Sequence, residues 1–548
     1  MERFIENYKN EKFDVIVIGG GITGASVAYE AATRGLKVAL LEKKDFSWAT
    51  SAVTSKMIHG GLRYLVNGEI GLVRESLRER RVLENIAPNF VYPAPMMMVH
   101  YKKPLKNNKW VVKIGMLMYD ALSYDKNFTW DACKKIPVHR TVSKEEVMQS
   151  ETNVRPKDLT GASIFYDCNS IFPERLTLAF IKSAVAYGAK VANYSKVEGF
   201  IMDSQNHVTG VKVRDLLNNT MSTVSGTVTI NCGGPWADIV LGLAKSDGNV
   251  NSTLRRSEGI HIITNKKLLS GNYTVGSMTP GGRHFFLIPW RNHTLIGTTD
   301  KPYVGNPDEY RVTKTSILEL INDVNSTFGD GKLKYADVQH TYGGLRPLVE
   351  EDTGETYTSS RKYEIYDNKK DGLDGLITVE GGKYTTSRNL AEHCLKIVAK
   401  KMGRSLGKSI TNKNYLASCE IKDLNAFVNA ALQNNKDFSE ATMNYLSRNY
   451  GTEYTEIIKL ARDNKILAET LNADGEILAE VTYAIRKEMA RTLADIIMRR
   501  SGIGTLGNPG EDILRKVAAV AAKELNWTSD KMEQEIKAVV DLLKIPQA

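Results

Sequence analysis

Three glycines, Gly19, Gly21 and Gly24, stand in GxGxxG spacing between the β-rich run FDVIVI and TGASVAYEAATRG, a small-residue stretch suited to a helix. A second strand-like run, KVALLE, follows and ends on Glu42. This order predicts a βαβ unit from Phe13 to Glu42. In such a unit the first glycine permits a tight turn and the second lets a pyrophosphate approach the backbone. The third lets helix and strand pack closely, with the helix N-terminus facing the phosphates. Glu42 is then placed to accept hydrogen bonds from an adenosine ribose. A glycine fingerprint alone also fits a plain βα turn, but strand, helix and terminal acid together predict a dinucleotide site.

A chain of 548 residues exceeds one ordinary core, so two or three units are expected. From about Arg74 to Asp158 the βα alternation lapses into a charged helix, RESLRERRVLENIA, and a lysine-rich apolar stretch. A proline-started helix at Pro173 then leads into alternating strands and the run VTINCGGPWA. Between Arg255 and Arg346 short strands with Gly, Pro and Asn turns predict an antiparallel sheet, a second layer facing substrate. LITVEGGKYTTSRNLAEHCLKIVAKKM returns to strand, glycine turn and helix, and beyond about Ser418 the chain is helical. The expected partition is a discontinuous nucleotide domain (1–73, 159–254 and 347–400), a discontinuous substrate domain (74–158 and 255–346) and a separate helical domain (401–548). Because the nucleotide unit opens the chain and is revisited by two later glycine turns, FAD is expected over NAD, since so long a cofactor draws contacts from distant segments.

The 73 basic against 63 acidic residues leave a formal charge of +10, which favours an anionic partner: nucleic acid, an acidic membrane face or a phosphorylated metabolite. The five cysteines are scattered without CxxC or ligand spacing, which argues against a disulfide framework or metal site and suits a reducing compartment. With no apolar leader region and no uncharged apolar run of roughly 18 residues, the chain is expected to be neither secreted nor transmembrane.

The segment ATSAVTSKMIHGGLRYL, Ala49 to Leu65, resembles the second flavin-contact motif of the FAD-dependent glycerol-3-phosphate dehydrogenases. YDCNSIFPERL, NCGGPWAD, FFLIPW, GTTDKPYVGNP, YGGLRPL, GGKYTTSR and EMARTLADIIMRR follow in the family's order, so the resemblance spans nearly the whole chain. Val53 departs from it, standing where the family usually places a basic or polar residue beside the flavin-binding serines. The resemblance implies an α/β plus α+β fold: a Rossmann-like FAD domain of the glutathione-reductase/D-amino-acid-oxidase type, an antiparallel substrate-domain sheet and an all-α C-terminal domain. It also implies flavin contacts from Thr50, Ser51, Ser55, Lys56, Val197, Gly233, Trp236, Gly382, Lys383, Tyr384 and Thr385, beside Gly19, Gly21, Gly24 and Glu42.

Oxidising a secondary alcohol requires a base beside the reacting carbon and a hydride acceptor. The resemblance brings His59 and His261 near the flavin, with His59 favoured as base and packing or orientation the plainer role for either. A phosphate dianion needs fixed cations, best supplied by arginine. Arg63, Arg346 and Lys383 are expected to form that clamp, with Tyr64 as a further donor and Arg346 counted among the catalytic groups. Lys383 has a second option, facing the flavin pyrimidine ring. Surface salt bridges are the plainer alternative for these cations. The resemblance implies glycerol 3-phosphate as substrate, no nucleic-acid partner and a membrane quinone as acceptor. Sibling oxidases use oxygen and make hydrogen peroxide; the short interval between Arg346 and Lys383 favours the dehydrogenase. Lys102, Lys103, Lys106, Lys109 and Lys113 around Trp110, Val111 and Val112 suit an anionic lipid surface. The expected location is therefore cytoplasmic and peripheral, on the inner face of the cell membrane. The C-terminal helices are read as an interaction or homodimer-forming module, with Glu488–Arg500 fitting either surface charge pairing or partner binding.

Overall fold

A computed structural model describes residues 1–65, 68–102, 108–244, 254–279, 282–329, 331–349 and 362–547. The strand Lys12–Ile18 pairs in parallel with Val38–Leu41 on one side and Thr220–Asn231 on the other. Lys190–Ala192 and Leu376–Gly381 extend the parallel row, and Tyr363–Asp367 closes one edge antiparallel. Both faces of these strands are covered, which is why they read as near-continuous apolar runs such as VALL. On one face lie the helices Ile22–Thr33, Pro173–Ala186 and Ser387–Lys401, which share one core. On the other face the strands Ser195–Met202 and Val208–Asp215 bring Val197, Phe200 and Val211 against Ile16, Ile18 and Leu41.

The second sheet has the strand order Lys301–Tyr303, Leu254–Thr264, His293–Gly297, His284–Trp290, Thr274–Met278, Tyr92–Tyr101, Leu159–Asn169, Met57–Ile58. Val338–Val349 joins it on Leu254–Thr264 and brings Arg346 opposite Ser257. All its pairings are antiparallel except Thr274–Met278 with Tyr92–Tyr101. Two segments grouped above with the nucleotide unit sit here instead: Leu159–Asn169 pairs with Tyr92–Tyr101, and Met57–Ile58 pairs with Cys168 and Asn169. Local pattern specifies a strand, whereas the sheet it joins is decided by distant partners.

Helices from Leu424 to Leu543 make up the C-terminal part. Their core is continuous with that of the second sheet, because Ile457, Leu493 and Ile497 belong to the same apolar cluster as Met57, Met96 and Trp290. Surface charge pairing does not describe Glu488–Arg500. Glu488 is fully buried and grips Arg175 at 2.9 Å, while the buried Arg499 and Arg500 reach Asp45 at 2.6 and 2.7 Å. The run ties the helices to the nucleotide domain.

His100, on Tyr92–Tyr101, is buried with neither ring nitrogen hydrogen-bonded, and burial pushes its imidazole down to about 4. The folded state thus binds fewer protons at this site than the unfolded chain between pH 4 and about 6.5, and stability is lost as pH falls through that window. In His100→Leu the loss of stability between pH 7.5 and 5 is expected to shrink by about 2 kcal/mol, measured by urea unfolding at both values. An unchanged pH dependence would refute this.

Candidate active site

The glycine turn is tight and closely packed. Gly19 has a φ of +108°, and a Cβ there would lie 2.5 Å from the Cys232 carbonyl oxygen of the neighbouring strand. A Cβ on Gly24 would overlap the Gly19 carbonyl, so helix and turn can approach only with glycine at both places. Gly21 is different: its absent Cβ would meet only Ser51 Oγ, at 3.1 Å, and the side facing the cavity is open. Ser51 Oγ accepts the Ile22 amide at 2.9 Å and steadies the helix N-terminus. Glu42 accepts the amides of Gly20 (2.6 Å) and Lys44 (2.8 Å), and its burial pushes its carboxyl above the usual range. It therefore braces the turn as well as facing the cavity.

That turn opens into a cavity of about 1140 Å³. Gly19, Gly21, Glu42, Thr50, Ser51 and Ser55 line it at the nucleotide end. Val197 comes from the strand Ser195–Met202, Gly233 and Trp236 from the turn after Thr220–Asn231, and Gly382, Lys383, Tyr384 and Thr385 from the last glycine turn. Trp236 Nε1 donates to Asp308 at 3.1 Å, and the Lys43 ammonium lies 4.3 Å from the Trp236 ring centroid. Thr50 Oγ1 donates to the Leu345 carbonyl at 2.7 Å. Val53 also lines the cavity, against the backbone of Gly344.

Two expected contacts lie elsewhere. Gly24 sits behind the turn, acting by packing. Lys56, whose φ of +57° turns its chain away, ion-pairs with the buried Glu174 at 3.1 Å and lies near the rings of Trp290 and Tyr342, off the cavity wall.

The cations reach the same cavity in two groups. Arg63 stacks on the Tyr64 ring, 4.9 Å from its centroid, and donates to Tyr64 Oη at 3.2 Å. The Lys383 ammonium lies 4.6 Å over the same ring and donates to Ser76 Oγ. Burial lowers the pKa of Lys383, to which Arg63 adds. Arg346 comes from the other sheet layer and lies across Gly259, where any Cβ would overlap the guanidinium. It donates to the Glu258 and Thr299 carbonyls (3.2 and 3.0 Å) and to Thr298 Oγ1 (2.6 Å).

Both histidines line the cavity as neutral imidazoles. Burial pushes His59 down to about 4; Lys383 and Arg63 push the same way, opposed by Asp167. His261, only 2% exposed, is pushed well below its ordinary value by burial, then by Arg346 and Lys56. Its Nε2 lies 2.8 Å from Ser55 Oγ, and its ring stacks on Tyr342.

Asp167 was not singled out from sequence, although it stands within YDCNSIFPERL. It is buried at the cavity wall and accepts from Arg80, Tyr119 and the Gly60 amide. Its only sequence signal is that it is the one charged residue of Leu159–Asn169. The helix Lys109–Leu122 contributes Val111, Val112 and Gly115 to the cavity and leaves Trp110, Ile114 and Leu117 67%, 61% and 55% exposed. Lys103 and Lys106 lie outside the described residues. Among the described residues no helix is long and apolar enough to cross a membrane.

A family model described as FAD dependent oxidoreductase matches residues 14–387, and one described as the C-terminal domain of alpha-glycerophosphate oxidase matches 422–532. A Synechocystis protein named glycerol-3-phosphate dehydrogenase is 33% identical over 548 residues, 96% of each chain. The aerobic glycerol-3-phosphate dehydrogenase of Staphylococcus aureus is 31% identical over 511 residues, 91% of this chain and 88% of that one. The solved structure of the Bacillus halodurans glycerol-3-phosphate dehydrogenase complexed with FAD superposes with a TM-score of 0.78 at 26% identity, covering 99% of this chain and 98% of that one.

Proposed function

The chain belongs to the glycerol-3-phosphate dehydrogenase family of FAD-dependent oxidoreductases, and we propose that it oxidises sn-glycerol 3-phosphate to dihydroxyacetone phosphate and passes the electrons to a membrane quinone. Its cofactor is FAD. The glycine turn, with its open Gly21 face and helix N-terminus, fits a pyrophosphate, and the cavity running on to Lys383 has room for the rest. When bound, FAD supplies the acceptor for the hydride leaving the carbinol carbon.

One observation carries the reading: three cations and two neutral histidines share a single cavity with the dinucleotide turn. Arg63, Arg346 and Lys383 hold the phosphoryl group, with Tyr64 as a further donor. A ring nitrogen of His59, unprotonated above pH of about 4, takes the hydroxyl proton. Ser55 orients His261 at the other wall. Lys383 also serves the reduced cofactor, where its charge offsets developing negative charge.

The apolar arm of the cavity favours a quinone. Met96, Met98, Val111 and Val112 line it, and the helix bearing the two valines turns its exposed Trp110, Ile114 and Leu117 outward beside Lys109 and Lys113. Such a face suits peripheral attachment to an anionic bilayer.

Anaerobic mixing with sn-glycerol 3-phosphate is expected to bleach the flavin, and a menaquinone or ubiquinone analogue is expected to restore its colour much faster than air. The oxidase reading draws support from the C-terminal family match. Stoichiometric hydrogen peroxide in air, with no acceleration by either analogue, would establish it in place of the dehydrogenase.

A further inference from the structure

The loop that carries His59, Arg63 and Tyr64 is held at one backbone amide. Asp167 Oδ1 accepts the Gly60 N–H at 3.2 Å, and the same carboxylate accepts from Arg80 Nη1 at 2.5 Å and Tyr119 Oη at 2.7 Å. Four separate segments meet here: the strand Leu159–Asn169, the helix Ile70–Ile86, the helix Lys109–Leu122 and the loop itself. Asp167 and Arg80 are 2% and 1% exposed. A Cβ at position 60 would overlap Tyr119 Oη and Leu77 Cδ2, so a larger residue there would have to displace them. The loop therefore packs closely against this node. Among the described residues, the charges acting on His59 are Asp167 on one side and Lys383 and Arg63 on the other.

We propose that Asp167 is the positioning residue of this loop: it sets where His59 stands through the Gly60 amide, and its charge stabilises the imidazolium formed when His59 takes the substrate's proton. The role follows from chemistry. A base under the influence of two cations meets a penalty on protonation, and a fixed carboxylate near it offsets part of that penalty. Arg80 pairs with the carboxylate and Tyr119 fixes its orientation. The inference rests on His59 being the base.

Asp167→Asn leaves Arg80 buried without its counter-charge and is open to misfolding, so it is paired with the double variant Arg80→Met/Asp167→Asn, which buries no unpaired charge. Flavin absorbance and a thermal melt first establish which variant is folded and loaded. In the folded variant kcat is expected to fall about thirtyfold, KM for sn-glycerol 3-phosphate to stay within about threefold, and the acid limb of the kcat profile to move to lower pH. A wild-type kcat and profile, or a raised KM with kcat unchanged, would overturn the positioning role. His59→Asn tests the underlying reading separately. If it retains full turnover, the base assignment fails whatever Asp167 does; if it is inactive while the double variant is not, only the Asp167 inference fails.

Discussion

Arg346→Ala is expected to lower kcat/KM for sn-glycerol 3-phosphate roughly a hundred- to a thousandfold, mostly through KM, while flavin content stays at the wild-type level. Truncating a charged partner of a largely enclosed, hydrogen-bonded ion pair costs about 3–4 kcal/mol, and each 1.4 kcal/mol is roughly tenfold. The side chain is suited to such a role because its bonds to the Glu258 and Thr299 carbonyls and Thr298 Oγ1 fix the guanidinium before substrate arrives. Gly259 belongs to the same device, since any larger residue would displace the guanidinium from the strand. Arg346→Lys is expected to fall between the two, keeping a charge but losing the planar fork that matches two phosphate oxygens. Steady-state kinetics on loaded, folded protein checks both. Undiminished affinity and turnover in Arg346→Ala would remove the phosphate clamp from the reading.

How much of this site sequence discloses depends on whether a residue acts locally. Gly19 and Gly24 are legible because their demands, a positive φ and a close helix–strand approach, are met within one βαβ unit. Glu42 is legible as a residue at the site but not as the brace of Gly20, which takes the folded turn to see. Lys56 shows the opposite failure. It stands among the expected flavin-contact residues in the chain, yet its side chain pairs with Glu174, off the cavity wall. Asp167 is invisible for a further reason: its meaning lies in Arg80, Tyr119 and Gly60, separated from it by tens of residues. The same holds for sheet membership. Leu159–Asn169 has no alternation that announces a strand, and its pairing with Tyr92–Tyr101 is a tertiary choice. The family resemblance carries over motif positions and not the geometry between motifs.

Asp45→Ala is expected to destabilise the protein by about 3–5 kcal/mol and to lower the temperature at which flavin is released. Asp45 is fully buried and accepts Arg500 through both oxygens (2.7 and 2.8 Å), Arg499 at 2.6 Å and Asn193 at 3.0 Å. Removing the carboxylate leaves two buried guanidinium groups whose remaining partners are Asp495 for Arg499 and the Glu488 carbonyl for Arg500. That is the costly kind of broken pair. An exposed pair such as Lys537–Asp541 is screened by solvent and contributes little to stability, so Asp541→Ala is the matched control. The effect reaches the cofactor because Asp45 lies three residues past Glu42, and the amide of Ser47, two further on, donates to the Gly20 carbonyl at 3.0 Å. Loosening Asp45 therefore loosens the turn proposed to cradle the pyrophosphate. Flavin fluorescence followed during heating separates the outcomes. A release midpoint in Asp45→Ala well below that of Asp541→Ala means that the C-terminal helices help to hold the nucleotide end of the cavity. Equal midpoints mean that the cluster only joins two units that bind and fold without it.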